Sequence, residues 1–150
     1  MLRSASLLPA IVARHDAPYI AWLTRKESAE LVAMMERVDE VVTLSEDGLA
    51  RVISGGWHHV YSLSNDLTSA SLASAAAARG DPVGFYMRGG IMTPSNEAAA
   101  RWLEMAAFDR LKRENRQSYQ QWMLAILGCP EAAIRAPALR VDEALRAAAA

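Results

Sequence analysis

The change of period at Gly55-Gly56 constrains this chain more than any other feature of its sequence. Before it, residues 46–53 read as a helix, and two glycines are a natural stop because glycine takes the positive φ that other residues avoid. After it, Trp57, His59, Tyr61 and Leu63 alternate with His58, Val60, Ser62 and Ser64, the period of two that a strand requires. Val, Tyr and Trp favour strands, and the "SND" that follows is a plausible end. The stretch "VGFYM", residues 83–87, reads as a second short strand closed by a Gly89-Gly90 turn. A chain that supplies both periods is α+β. The expectation is one mainly helical domain over residues 1–150, with a small antiparallel sheet holding residues 57–63 and 83–87.

The other segments read as helices. Thr24 and Glu27 have capping-box spacing, and Leu31, Met34, Met35 and Val38 then recur at helical intervals and should face the core. Alanine-rich residues 69–79 predict a helix, with Gly80 and Pro82 beyond its end. Thr93 and Pro94 suit the cap and first position of a further helix, whose Trp102, Met105, Phe108 and Leu111 form one apolar ridge. "SYQQWMLAILG" predicts a last helix ending at Gly128. The tail from about residue 141 has only Val141 and Leu145 to anchor it and is expected to fray.

At 52% hydrophobic residues, the chain has ample material for a core. Its net charge of -1 argues against direct nucleic-acid binding, which needs a surplus of Lys and Arg to displace counterions. Cys129 stands alone, so no disulfide within the chain and no thiolate metal cage can form, and a reducing cytoplasm fits. The apolar run after Arg3 is short and interrupted by Pro9, and no segment approaches the roughly 20 apolar residues of a membrane span. The expectation is a soluble protein that keeps its N-terminus, without membrane or cofactor.

Chemistry-bearing residues are few. His58 and His59 are adjacent, so on a strand they point to opposite faces, which does not suit a shared metal. The third histidine, His15, is distant in sequence. Nucleophile-elbow, P-loop and dinucleotide fingerprints are missing. A small hydrolase using His58, His59 and Asp66, with Ser62 and Ser64 between them, is the minor reading. Among the carboxylates off the apolar stripe, Glu36, Asp39 and Glu40 are candidates for contact with a protein partner. Trp122, Met123 and Ile126 form an apolar strip beside Gln120 and Gln121, which would serve a homodimer if the helix stood away from the body.

Residues 54–65, "SGGWHHVYSLSN", resemble the motif of the ArdB/KlcA-type antirestriction family, in which two glycines precede aromatic positions, a tyrosine and a Leu-Ser-Asn run. Gly55, Gly56, Tyr61, Leu63, Ser64 and Asn65 stand at the matching spacing, with Trp57 and Val60 as apolar stand-ins. "GFYM", "MTPSNEAA" and "CPEAAIRA" are weaker echoes in the same order. The chain departs from the pattern at His58, where an aromatic is usual, and at Asp66-Leu67, where a second glycine pair is usual. The resemblance implies a non-enzymatic inhibitor that relieves restriction of incoming DNA through protein contact, with the motif holding the shape. A second resemblance, to a helical DNA-mimic protein family, implies instead a helix after the glycines and an acidic surface that binds a DNA-binding protein.

Overall fold

The computed structural model describes residues 2–76, 79–136 and 138–140, with side chains from Ser4 onward. The fold is α+β and mainly helical, built around two small sheets. Two short helices, α1 (Leu2–Ala5) and α2 (Leu8–Val12), lead into β1 (Ala21–Thr24). A 3-10 turn and α3 (Ala29–Ala33) carry the chain to β2 (Glu40–Thr43), which pairs in parallel with β1 from Ala21↔Glu40 to Thr24↔Thr43. Next come α4 (Glu46–Ser54), β3 (Tyr61–Ser62), α5 (Leu67–Ala76), β4 (Val83–Arg88) and β5 (Ile91–Pro94). Three helices follow, α6 (Glu97–Ala107), α7 (Asp109–Glu114) and α8 (Tyr119–Ile126).

Several elements match their sequence signals. Helix α4 begins where Ser45 accepts from the Gly48 N–H at 3.1 Å, and β4 and the turn after it lie where the glycine-aromatic stretch put them. Helix α8 opens on a full capping box, Ser118 with Gln121. Val32, Met35 and Val38 are buried on the second segment, whereas Leu31 and Met34 are only half-buried.

Other expectations are corrected. Thr24 ends β1 instead of capping a helix, and the helix that follows is the short α3. Trp22 and Leu23 favour extended backbone, and the pairing with Val41 and Val42 fixes it. Residues 57–63 are not one strand: only Tyr61 and Ser62 pair, and they run parallel to β4. The crossover through α5 returns the chain in its original direction, which makes the pairing parallel; the antiparallel partner of β4 is β5.

Thr93 and Pro94 belong to β5, opposite Tyr86 and Phe85. The helix cap is Asn96, whose Oδ1 accepts from the Ala99 N–H at 2.9 Å while its Nδ2 donates to the Ile126 carbonyl at 2.8 Å. Phe108 leaves the apolar ridge, because extended backbone there breaks the helix between α6 and α7 and leaves its ring 60% exposed. Residues 141–150 lie outside the described residues.

The largest core cluster joins Leu7, Phe85, Ala99, Met123, Leu124, Ile126 and Leu127, with Trp102 and Trp122 packed against it. A second gathers Ala5, Leu8, Val32, Met35 and Val38, and a third Val42, Val52 and Ala76 under Trp57 and Val60. Strand β4 sits in the middle of this arrangement. Helix α5 is clipped to it by Ser74, whose hydroxyl accepts from the Met87 N–H at 2.7 Å and donates to the Met87 carbonyl at 2.8 Å.

Gly84 permits the approach of β3 to β4. Its φ is +104°, and a Cβ there would lie 2.0 Å from the Ser62 carbonyl oxygen. Gly56 also has positive φ, +62°, but a Cβ there would meet nothing within 4 Å. Gly84→Ala is therefore expected to lower stability by about 3 kcal/mol or more. Gly56→Ala should lose only about 1 kcal/mol, the backbone penalty alone. Urea unfolding of both variants checks the order.

Candidate functional site

The motif folds as a stitch between α4 and β3. The Trp57 ring lies against Gly55, where an added Cβ would come within 2.3 Å of the indole, and its Nε1–H donates to the Val52 carbonyl at 2.7 Å. That bond satisfies a carbonyl left over at the helix end. The Arg51 guanidinium sits 4.5 Å from the Trp57 ring centroid and grips Glu40 with two bonds, Nε to Oε1 at 2.9 Å and Nη2 to Oε2 at 2.7 Å. The Tyr19 hydroxyl donates to the same carboxylate at 3.2 Å. Strand β2, helix α4 and the motif are thereby joined through one ion pair and one indole.

Of the remaining motif residues, Tyr61 and Leu63 pack against the largest core cluster, while Ser64 and Asn65 are exposed. Ser62 is buried, and its Oγ has no hydrogen-bond partner among the described residues. Asp66 is committed elsewhere: Oδ2 accepts from the Ser64 hydroxyl at 2.6 Å and the Ser69 hydroxyl at 2.7 Å, and Oδ1 from the Ser69 N–H at 2.9 Å. It caps α5. The Ser64 hydroxyl leads the interactions that hold its carboxyl at about 2.

The histidines divide differently from their order in the chain. His58 and His59 are both exposed, and the ring that meets His59 is His15, centroid to centroid at 4.4 Å and tilted by 34°. His15 Nε2 and the Tyr61 hydroxyl are 2.7 Å apart. Arg14, one residue earlier, donates from Nη1 to the Leu127 carbonyl at the end of α8. Desolvation lowers the His15 pKa, helped by the positive charges of His59 and Arg14. Burial raises the Tyr61 phenol, which Arg14 opposes and Cys129 reinforces.

Distance along the chain hides His15 from a sequence reading, and no motif marks Arg14. The one signal pointing to them was the apolar run ahead of them, "LLPAIV", which must be buried and so brings its own end to the body of the protein. No group of three or more His, Cys, Asp or Glu among the described residues is placed to hold a metal ion.

The candidate partner carboxylates are placed in the same region. Asp39 Oδ2 accepts from the Ile20 N–H at 2.7 Å, Glu40 is in the Arg51 pair, and Glu36 is exposed. The strip assigned to a homodimer is core instead: Met123 and Ile126 are 0% exposed, and Trp122 packs on Trp102 at 6.1 Å and donates to Asn115 Oδ1 at 3.0 Å. The helix folds back because Leu7, from the N-terminal helices, and Asn96, at the cap of α6, both close over it.

Among the described residues, no helix is long and apolar enough to cross a membrane. No family model matches the chain, and it has no match among curated proteins or solved structures.

The capping role of Asp66 has a measurable pH signature. Asp66→Ala is expected to remove about 1 kcal/mol at neutral pH, the usual worth of such a cap. Because the folded carboxyl lies at about 2, below its ordinary 3.8, this contribution is complete above that ordinary value and is lost as the pH falls toward 2. The difference in unfolding free energy between wild type and variant should shrink on acidification through this window. A difference that grows there contradicts the assignment.

Proposed function

We propose that this protein acts by contact with another protein, as a non-enzymatic inhibitor of the antirestriction type. What supports the reading is the use to which the resembling motif is put. Gly55, Trp57 and Tyr61 join elements of the fold, and the polar groups of Asp66 are consumed in a helix cap. Of the residues that carry the resemblance, Gly55 and Tyr61 therefore hold shape, as that family's motif is expected to, with Trp57 as the apolar stand-in.

The working part is then an outer surface. The region around Glu36, Asp39 and Glu40 is the first candidate, since exposed Tyr19 borders Glu40 and the start of α4 adds exposed Glu46 and Asp47. An aromatic ring set among carboxylates fits a basic protein surface, with aromatic side chains being common anchors at interfaces. The partner under this reading is restriction or other DNA-processing machinery in the cytoplasm.

Less support falls to the hydrolase reading, since both oxygens of Asp66 accept from Ser64 and Ser69.

The test is expression in a restricting host challenged with unmodified DNA. Transformants should rise over an empty vector, and the rise should survive His58→Ala and His59→Ala. Glu36→Lys, at an exposed position, should reduce it while leaving the unfolding transition unchanged. Transformant numbers equal to those of the empty vector, from soluble folded protein, would overturn the proposal.

A further inference from the structure

The two N-terminal helices are held to the body in two ways. Their apolar side chains reach two cores, Leu7 in the cluster around Phe85 and α8, Ala5 and Leu8 in the cluster around Val32 and Met35. Beyond α2 the attachment is polar, through Arg14 on the Leu127 carbonyl and His15 on Tyr61 and His59. We propose that His15, His59 and Tyr61 form an acid-sensitive latch, which holds residues 2–15 closed while the two imidazoles are neutral and releases them when both are protonated.

The geometry makes this latch one-sided. Rings 4.4 Å apart form a favourable contact when uncharged, but two imidazolium ions at that separation repel. The charged groups acting on His15 are His59 and Arg14, and both are positive. From β3 comes the Tyr61 hydroxyl, which is neutral throughout the imidazole range and bonds either form of His15. Cys129, after α8, acts on Tyr61. Asp16, next along the chain, is exposed. Exposed ion pairs contribute little, so this carboxylate offsets the repulsion weakly.

The sign follows from linkage. The folded pKa of His15 is lowered, so the open form binds protons more readily than the closed one. The latch contributes fully above the ordinary imidazole value of 6.5, and the contribution is lost as the pH falls through the lowered one. Release would uncover Leu7 and the face of the Phe85 cluster that it closes, a new apolar surface presented only in acid.

Hydrogen exchange of the intact protein, at about pH 7.5 and about pH 5.5 on either side of the imidazole range, tests the latch. After correction for intrinsic rates, amides in residues 2–15 should lose protection by about fivefold at the lower pH, the repulsion of two unit charges at the separation of the two rings in water. His59→Gln, which cannot charge, should keep its neutral-pH protection in acid, and His58→Gln should behave as wild type. Protection in residues 2–15 that is the same at both pH values in the wild type overturns the latch. So does an acid loss undiminished in His59→Gln.

A titration of the wild-type ring protons gives an independent reading should His59→Gln fold poorly. Release must follow the titration of the His15 ring. A release midpoint that does not follow the His15 ring protons overturns the proposal.

Discussion

The Trp57 indole, laid over Gly55 with its N–H on the Val52 carbonyl, is the contact on which the rest of the arrangement depends. It closes the end of α4, and the chain beyond it pairs with β4 at Tyr61 and Ser62. Only glycine leaves room for it at position 55. The same ring carries the Arg51 guanidinium, which in turn fixes Glu40 at the start of β2. Together with the cluster of Val42, Val52 and Ala76, this ring couples the two sheets, which share no strand. The network is half-buried, where a bidentate Arg–carboxylate pair keeps its geometry better than an isolated surface pair does.

Such coupling matters because the apolar interior is divided. Three small clusters stand where a chain of this length commonly builds one, and each is closed by segments distant in sequence. Leu7 seals one cluster and Leu8 another, so the N-terminal helices act as a wedge between them. The second cluster is also crossed by residues 138–140, where the Arg140 N–H donates to the Met34 carbonyl at 2.6 Å and Leu139 packs on the buried side chains. Elements held by few contacts at their ends are the ones whose position responds to pH or to a partner. In this fold those are residues 13–15, held beyond α2 by polar contacts, and the last described residues.

What was legible in the sequence was local. The glycines after residues 46–53, the run "SYQQWMLAILG" and the glycines after β4 each act within a few residues, and α4, α8 and β4 lie where those signals put them. Strands β1 and β2 were not legible, because four-residue parallel strands depend on a partner some twenty positions away and the run between them also fits a helical period. Pro94 misled for a related reason: the proline that suits a helix start equally suits an edge strand, and the hairpin with Phe85 and Tyr86 decided between them. The polar cluster was half legible. His59 and Tyr61 share one strand-like pattern, but their meeting with His15 requires the N-terminal helices to dock first, and no spacing encodes that.

The claim that residues 55–65 hold the fold together is tested most directly at Trp57. Trp57→Phe keeps an aromatic ring over Gly55 but deletes the N–H and leaves the Val52 carbonyl without its donor. A loss of about 1–2 kcal/mol is expected in equilibrium urea unfolding with an unchanged denaturant slope, the penalty for an orphaned, partly buried acceptor. A variant as stable as the wild type would contradict it.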